Sequence, residues 1–378
     1  MLRSRRRTDG FTEAVQEIGY QGIEPGDLVI HAMDGFAGAI GVAQDRGKSS
    51  PVYSVLTPRQ AQTAYVPFYA YVLRNYALSG LVQSFAQGVR ERSTEFRWNT
   101  SKTVLVPAPG YGTQQTIADY LDHETAEIDA FIADLEALIK LEEERRIATI
   151  DAHLDAGEPV MVPMKHLGTL RSGLTLGTKY TEPVEEFPYL RVANVQTNYV
   201  DLTDVATVRV PQRVADTNRL QPGDILMTEG GDRDKLGRGA IWDGSVPNML
   251  HQNHIFSFRC AEALSPEYLV LVLESTWARD YFDLTARQST NLASTNSTTV
   301  RSFLVPYRDR GAQERLVKAL HAALAKVADA VHDSRKAIAL AKERRAALIS
   351  AAVTGQIDVT AKHKPAAEQL EEDIAQLA

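Results

Sequence analysis

The chain has 378 residues, room for two domains of ordinary size, and its 44% apolar and 24% charged residues are those of a soluble globular protein. No apolar run reaches the roughly 18 residues a membrane span needs, and a lone cysteine, Cys260, excludes an internal disulfide and a cysteine-built zinc cluster. A net charge of −7 argues against nucleic acid only if it is evenly spread, and it is not: residues 114–157 carry 3 basic against 12 acidic side chains, whereas 1–113 and 312–355 are +3 and +4.

In chain order, Met1-Leu2-Arg3-Ser4-Arg5-Arg6-Arg7 is basic, but no apolar stretch follows. It is therefore not a secretory signal, and a cytoplasmic protein is expected. Between about 115 and 155 there is no proline and no interior glycine. Leu121, Ile128, Phe131, Leu135 and Leu138 keep steps of three, four or seven there, which predicts a long helix. Gly157 just beyond it suits a left-handed cap. Strand-like runs follow at Tyr189-Leu190-Arg191-Val192, Asp224-Ile225-Leu226-Met227 and His254-Ile255-Phe256-Ser257-Phe258. A helical stretch from Pro266 to Ser275 joins them, so this region reads as α+β. A second proline-free helix is predicted over 313–353, with Leu320, Leu324, Val327, Val331 and Ile338 in step and Gly355 past its end. The tail after Thr360 is rich in Ala, Glu and Lys and is expected to fray.

An internal repeat ties these elements together. Pro25-Gly26-Asp27-Leu28-Val29 recurs as Pro222-Gly223-Asp224-Ile225-Leu226, and Gly38-Ala39-Ile40 is matched to Gly239-Ala240-Ile241. Leu105-Val106-Pro107 returns as Leu304-Val305-Pro306, Gln114 as Gln313 and Glu144-Arg145-Arg146 as Glu343-Arg344-Arg345. The expected division is a first domain 1–113, a long helix 114–157, a second domain 158–311, a second helix 312–355 and a tail 356–378. Each helix could pack on its own domain. The opposite charges, −9 on one and +4 on the other, favour pairing them, and two domain-then-helix units in one chain pair most naturally antiparallel.

The usual constellations of an enzyme are missing. There is no phosphate-binding G-x-x-x-x-G-K-[ST], no G-x-G-x-x-G opening a helix and no G-x-S-x-G elbow. Nor is there an Asn- or Asp-Pro-Pro-aromatic tetrapeptide of the amino-methyltransferase kind. His251 and His254 lie in or beside a strand at a spacing that turns them to opposite faces, which disfavours a shared metal.

Several stretches resemble the target recognition domains of type I restriction-modification specificity subunits. They are Tyr189-Leu190-Arg191-Val192-Ala193-Asn194-Val195-Gln196, Leu220 to Asp232, Leu250-His251-Gln252-Asn253-His254 and Thr290-Asn291-Leu292-Ala293-Ser294. Glu343 to Ile357 is similar to that family's C-terminal conserved helix, and the resemblance covers nearly the whole chain. It implies two target recognition domains, each followed by a long helix, with the helices paired as an antiparallel coiled coil that fixes the spacing of a bipartite double-stranded DNA target. It also implies a non-catalytic chain without a cofactor of its own. Methyltransferase subunits would dock on it, with or without a motor-nuclease subunit, and these partners would bring S-adenosylmethionine, ATP and Mg. No membrane is implied. The first domain departs from this pattern: 25 residues precede Gly26, against 65 between Gly157 and Gly223. The expectation is a first domain about 40 residues short, without a counterpart of Tyr189 to Gln196, either because the gene or its start is truncated or because the domain is a shorter variant. The alternative is a coiled-coil assembly protein of the same system whose DNA reading is impaired by that shortening.

Base edges are read by Arg or Lys on guanine and Asn or Gln on adenine, usually from loops. The glycine-rich loop from Gly230 offers Arg233, Lys235 and Arg238, with Asp232 and Asp234 as competing internal partners. Gln288 and Asn291 lie in a polar stretch from Arg287, and Gln252 and Asn253 precede a strand. In the first copy Arg90 and Arg92, with Arg97 and Asn99, form a basic stretch suited to phosphates.

Overall fold

The computed structural model describes residues 18–84, 96, 98–157, 159–231, 233, 236–288 and 293–360. It divides into two compact units, Met1–Ala137 with Asp333–Ala378, and Leu138–His332. Each unit therefore takes one part of each long helix.

The first unit contains β1 (Gln21–Ile23), β2 (Leu28–His31), β3 (Ile40–Val42), β4 (Gly47–Ser49) and β5 (Tyr53–Leu56). Its helices are α1 (Val66–Leu78), α2 (Leu81–Ser84), α3 (Trp98–Ser101) and the first part of α4 (Tyr111–Leu154). The strands form a β3-β2-β5 sheet and a β1-β4 pair, all antiparallel. Buried Leu28, Ile30 and Ile40 of the sheet pack on Ala70, Leu73 and Ala77 of α1. On the other face of α1, Phe68 and Val72 join Ile117 and Leu121 of α4 and Ile349 and Val353 near the end of the last helix. An ion pair between Arg345 Nε and Asp129 Oδ1 (2.8 Å) lies along the same helix contact.

The second unit continues α4 into β6 (Val160–Pro163), β7 (Gly168–Ser172), β8 (Glu185–Leu190), β9 (Ala206–Val210) and α5 (Gln212–Asn218). Then come β10 (Ile225–Thr228), β11 (Gly230–Gly231), β12 (Gly239–Ile241), β13 (Leu250–His251) and β14 (Ile255–Cys260). The chain goes on through α6 (Pro266–Glu274), α7 (Thr276–Thr285), β15 (Arg287–Gln288) and β16 (Ala293–Ser294). It ends in α8 (Ser297–Ser302), β17 (Leu304–Tyr307) and α9 (Arg310–Val353). Four small sheets result, β12-β10-β14-β7, β13-β8-β9, β11-β16-β15 and β17-β6. The main core joins β7, β10 and β14 to α6, α7 and β17, and Ile150 and Leu154 of α4 with Leu320 and Leu324 of α9 close it. Arg146 on α4 reaches into this unit and binds buried Glu274 of α6 through both oxygens (2.8 and 3.0 Å). Asp151 accepts from Thr276 N and Oγ1 at 3.0 and 2.6 Å.

The repeat is visible in the details of both units. Gly26 and Gly223 have φ of 91° and 89°, a left-handed turn residue that only glycine adopts freely. Behind it Asp27 and Asp224 each accept the N–H three residues back at 2.8 Å. At the head of each long helix a buried glutamine ties the helix to the loop that enters it and to the loop before an earlier helix. Gln114 accepts from Tyr65 N and donates to Pro109 O and Thr63 O. Gln313 accepts from Ser265 N and donates to Arg308 O and Ala263 O.

Three sequence expectations change. Strand register pairs Ile30 with Ile40 and Leu28 with Val42, as Met227 pairs with Gly239 and Ile225 with Ile241. The counterpart of Gly239-Ala240-Ile241 is therefore Ile40-Gly41-Val42, and the match to Gly38-Ala39-Ile40 was two residues off because glycines recur at both places. The buried stripe of α4 runs Leu121, Ile128, Ile132, not through Phe131, and Leu138 is exposed. A helix at 3.6 residues per turn moves the seam forward one position over that distance. The strand expected from Tyr189 to Val192 ends at Leu190, where Asn194 folds back to accept the Arg191 N–H. The tail beyond Thr360 lies outside the described residues.

The units also differ. In the second, β6 covers β17, so that Val305 is fully buried. In the first, Val106 is 38% and Leu105 90% exposed, and among the described residues no strand pairs with them. The fourth strand, β7, likewise has no counterpart among the described residues of the first unit, whose matching sheet has three strands.

Candidate nucleic-acid interface

The glycine-rich segment and the polar stretch after α7 meet in one ribbon. Thr295 N donates to Glu229 O at 2.8 Å. From there Gly230 and Gly231 of β11 pair with Ser294 and Ala293 of β16, whose other edge carries Arg287 and Gln288 of β15. The loop that leaves β11 is anchored where Leu236 enters the core and Gly237 crosses α7. Gly237 has φ of 78°, and a Cβ there would stand 2.0 Å from Phe282 Cδ2, so glycine is required both for the turn and for the close approach.

Arg233 stands on this ribbon, about half exposed. Its Nε donates to Asp283 Oδ1, its Nη2 to Asp283 Oδ2 and O at 3.3 and 3.4 Å, and its Nη1 to Gln288 Oε1 at 3.2 Å. The hydrogen bond holds the Asp283 carboxyl below the usual carboxylate range and raises the guanidinium. The internal partner expected for this arginine was Asp232 or Asp234, both outside the described residues; the acid it binds is Asp283, at the end of α7. At the start of β11, His254 Nδ1 and Glu229 Oε2 stand 2.6 Å apart.

Of the other candidates, Arg238 is half-buried and its Nη1 donates to Thr197 Oγ1 at 3.4 Å. Gln252 stitches the turn between β13 and β14 to the end of β8: its N donates to Leu190 O at 3.0 Å and its Oε1 accepts from Val192 N at 3.4 Å. Asn253, half-buried, has its main-chain N–H donated to Leu174 O at 2.9 Å. The structure thus joins Arg233 to Gln288 directly and leaves Gln252 bonded within the fold. Lys235, Asn291, Arg90, Arg92 and Arg97 lie outside the described residues, and Asn99 is in α3.

His251 and His254 do face opposite ways, one buried and one exposed. Burial, with the Arg171 charge, pushes His251 down to about 4. The Asn218 backbone and the Asp224 carboxylate pull the other way and do not offset that burial. Nearby, Asp224 takes two hydrogen bonds of 2.7 Å from Arg259, with Arg171 Nη2 at 3.7 Å. This interior cluster braces the Pro222-Gly223-Asp224 turn. Among the described residues no group of three or more His, Cys, Asp or Glu is placed to hold a metal, and no helix is long and apolar enough to cross a membrane.

Sequence reasoning missed Asp283, Glu229 and Glu274. Each is a single acid whose partner lies 25 to 128 residues away, and no motif marks such pairs.

No protein-family model matches the chain. It is 25% identical over 156 residues to the type I restriction enzyme MjaX specificity subunit of Methanocaldococcus jannaschii, which is 41% of this chain and 36% of that one. It is also 25% identical over 193 residues to the type I restriction enzyme EcoKI specificity subunit of Escherichia coli K12, 47% and 41% of the two chains. The chain thus spans well under half the length of the curated relatives it matches. A solved chain from work on complex assembly and conformational transition of the type I R-M system shares the fold, with a TM-score of 0.56 at 14% identity over 88% of this chain and 83% of that one. The chain resembles type I restriction-modification specificity subunits, the family its own motifs pointed to.

Proposed function

We propose that this chain is the DNA sequence-specificity subunit of a type I restriction-modification complex, a cytoplasmic reader with no chemistry of its own. The observation that carries this reading is the duplication. Two units repeat one turn, one sheet and one buried glutamine at the head of a 44-residue helix. Such a pair suits a target with two halves and a fixed spacing between them. In this reading 1–113 and 158–311 are the two recognition domains, and the helices pair as an antiparallel coiled coil. Supporting the pairing, Ile117 and Leu121 of α4 pack with Ile349 and Val353 of α9 in one unit, and Ile150 and Leu154 with Leu320 and Leu324 in the other.

The reading face of the second domain is the β11-β16-β15 ribbon with Arg233 and Gln288, together with Lys235 and Asn291. Arg238, Gln252 and Asn253 border it in this assignment, and Arg90 and Arg92 make phosphate contacts from the first domain. Methyltransferase subunits, with or without a motor-nuclease subunit, dock on the helices and bring S-adenosylmethionine, ATP and Mg.

Methylome mapping of the host with and without this gene tests the proposal. Loss of one bipartite methylation motif on deletion is the expected result. A complex that co-purifies with methyltransferase subunits yet leaves no sequence-specific mark would make the chain an assembly protein instead.

A further inference from the structure

We propose that Asp283 is an internal competitor for Arg233 that holds down the affinity of this face for DNA; this rests on the reading of the ribbon as the DNA-facing surface. Arg233 has five N–H donors. Its Nε and Nη2 bind Asp283, and its Nη1 binds Gln288. A carboxylate that takes a guanidinium through both oxygens occupies the place a phosphate would take, since both offer the same fork of acceptors. The pair is about half exposed, so Asp283 can be exchanged for DNA without unfolding any element; exposed ion pairs are weak.

The exchange is not equally favourable for all DNA. A duplex of arbitrary sequence offers Arg233 a phosphate and little else. One ion pair then replaces another, and the released Asp283 carboxylate is left facing the phosphate backbone. A target duplex also offers base edges, to which Gln288 and Arg233 can turn together because they are already bonded to each other. Releasing Arg233 from Asp283 is a cost that every duplex meets, and the base contacts of a target are what exceed it, so Asp283 keeps binding to arbitrary DNA weak. This placement also explains why an acid stands at the reading face of a DNA-binding surface at all.

Asp283→Asn tests the inference. It keeps size and an acceptor for the Arg233 Nε–H but removes the charge. The full-length chain, assembled with its methyltransferase subunits, is titrated against fluorescein-labelled duplexes by anisotropy across a salt series. One duplex carries the motif the complex methylates and one a scrambled sequence. Affinity for the scrambled duplex is expected to rise about two- to five-fold at low salt. Its salt dependence should steepen by roughly 0.9 in the log–log slope, one phosphate contact. Affinity for the target should rise by a similar factor, because Arg233 leaves Asp283 in both complexes. Arg233→Ala, measured alongside, should weaken binding to both. If Arg233→Ala weakens binding but Asp283→Asn leaves the scrambled duplex unchanged or weaker, the role of Asp283 is wrong and the reading face stands. If Arg233→Ala changes nothing, the ribbon is not at the interface and the inference falls with it. A wild-type complex that does not discriminate between the duplexes overturns the proposed function itself.

Discussion

Gln313→Ala should destabilise the second unit by about 3 kcal/mol. The side chain is fully buried, accepts from Ser265 N at 2.8 Å and donates to Ala263 O at 2.9 Å and Arg308 O at 2.7 Å. Truncation leaves one main-chain N–H and two carbonyls without that partner, and each such bond is worth about 1 kcal/mol net. About 3 kcal/mol is two orders of magnitude in the folded-to-unfolded ratio. Gln313→Glu keeps the acceptor but loses both Nε2 donors and should cost at least as much. The assay is urea denaturation followed by tryptophan emission, since Trp242 in this unit is buried while Trp98 and Trp277 are exposed. Gln114→Ala removes the matching three bonds, one of them longer at 3.3 Å. It should cost somewhat less, about 2 kcal/mol, in far-UV circular dichroism melts. A loss under about 0.5 kcal/mol for Gln313→Ala would refute the claim that these glutamines fasten the helix heads.

Three further outcomes are expected. His251 has a folded-state value lowered to about 4 from 6.5, so its neutral form is the one the fold favours. Its contribution is present in full above pH 6.5 and is lost as pH falls from there toward 4, about 3 kcal/mol in all; His251→Leu should flatten that acid limb in urea melts at pH 7 and 4.5, and an unchanged slope would contradict it. Arg146→Ala strands the buried Glu274 carboxylate and should cost about 3 kcal/mol, most of it recovered in the Arg146→Leu/Glu274→Leu double variant; a double variant no more stable than the single would show that packing, not charge, is lost. Gly237→Ala should cost more than Gly26→Ala, about 3 against about 1 kcal/mol, because only Gly237 meets a ring at 2.0 Å while Gly26 faces open space; equal midpoints in thermal melts would contradict that.

The parts of this fold legible in the sequence are those with long-range periodicity or copied residues. The helices α4 and α9 announce themselves by spacing sustained over 44 residues each, and Gln114 and Gln313 by their constant offset. The ribbon was legible only as two separate polar stretches. Its strands have two residues each, too few for an alternation to register, and their pairing is set by the core beneath them. Arg233 was singled out by its loop, but its partner was not, because proximity across 50 residues is decided by where Phe282 packs against Gly237. Gln252 looked like a reader by type, yet local geometry turns its amide oxygen to the Val192 N–H.

The way each unit draws on the chain bears on how it is made. The second unit, Leu138–His332, is one continuous stretch, so all its contacts are available once α9 is partly synthesised. The first is split between residues before 138 and after 332; its Asp129–Arg345 pair alone spans 216 positions. Closing so long a loop is slow, and domains generally fold as they emerge. The order of assembly should therefore run against the order of the sequence: the early domain waits, its α1 and α4 surfaces open, until the late helix arrives. On that order Phe68, Val72 and Leu121 stay uncovered by Ile349 and Val353 for that interval, longest on a ribosome stalled before residue 333.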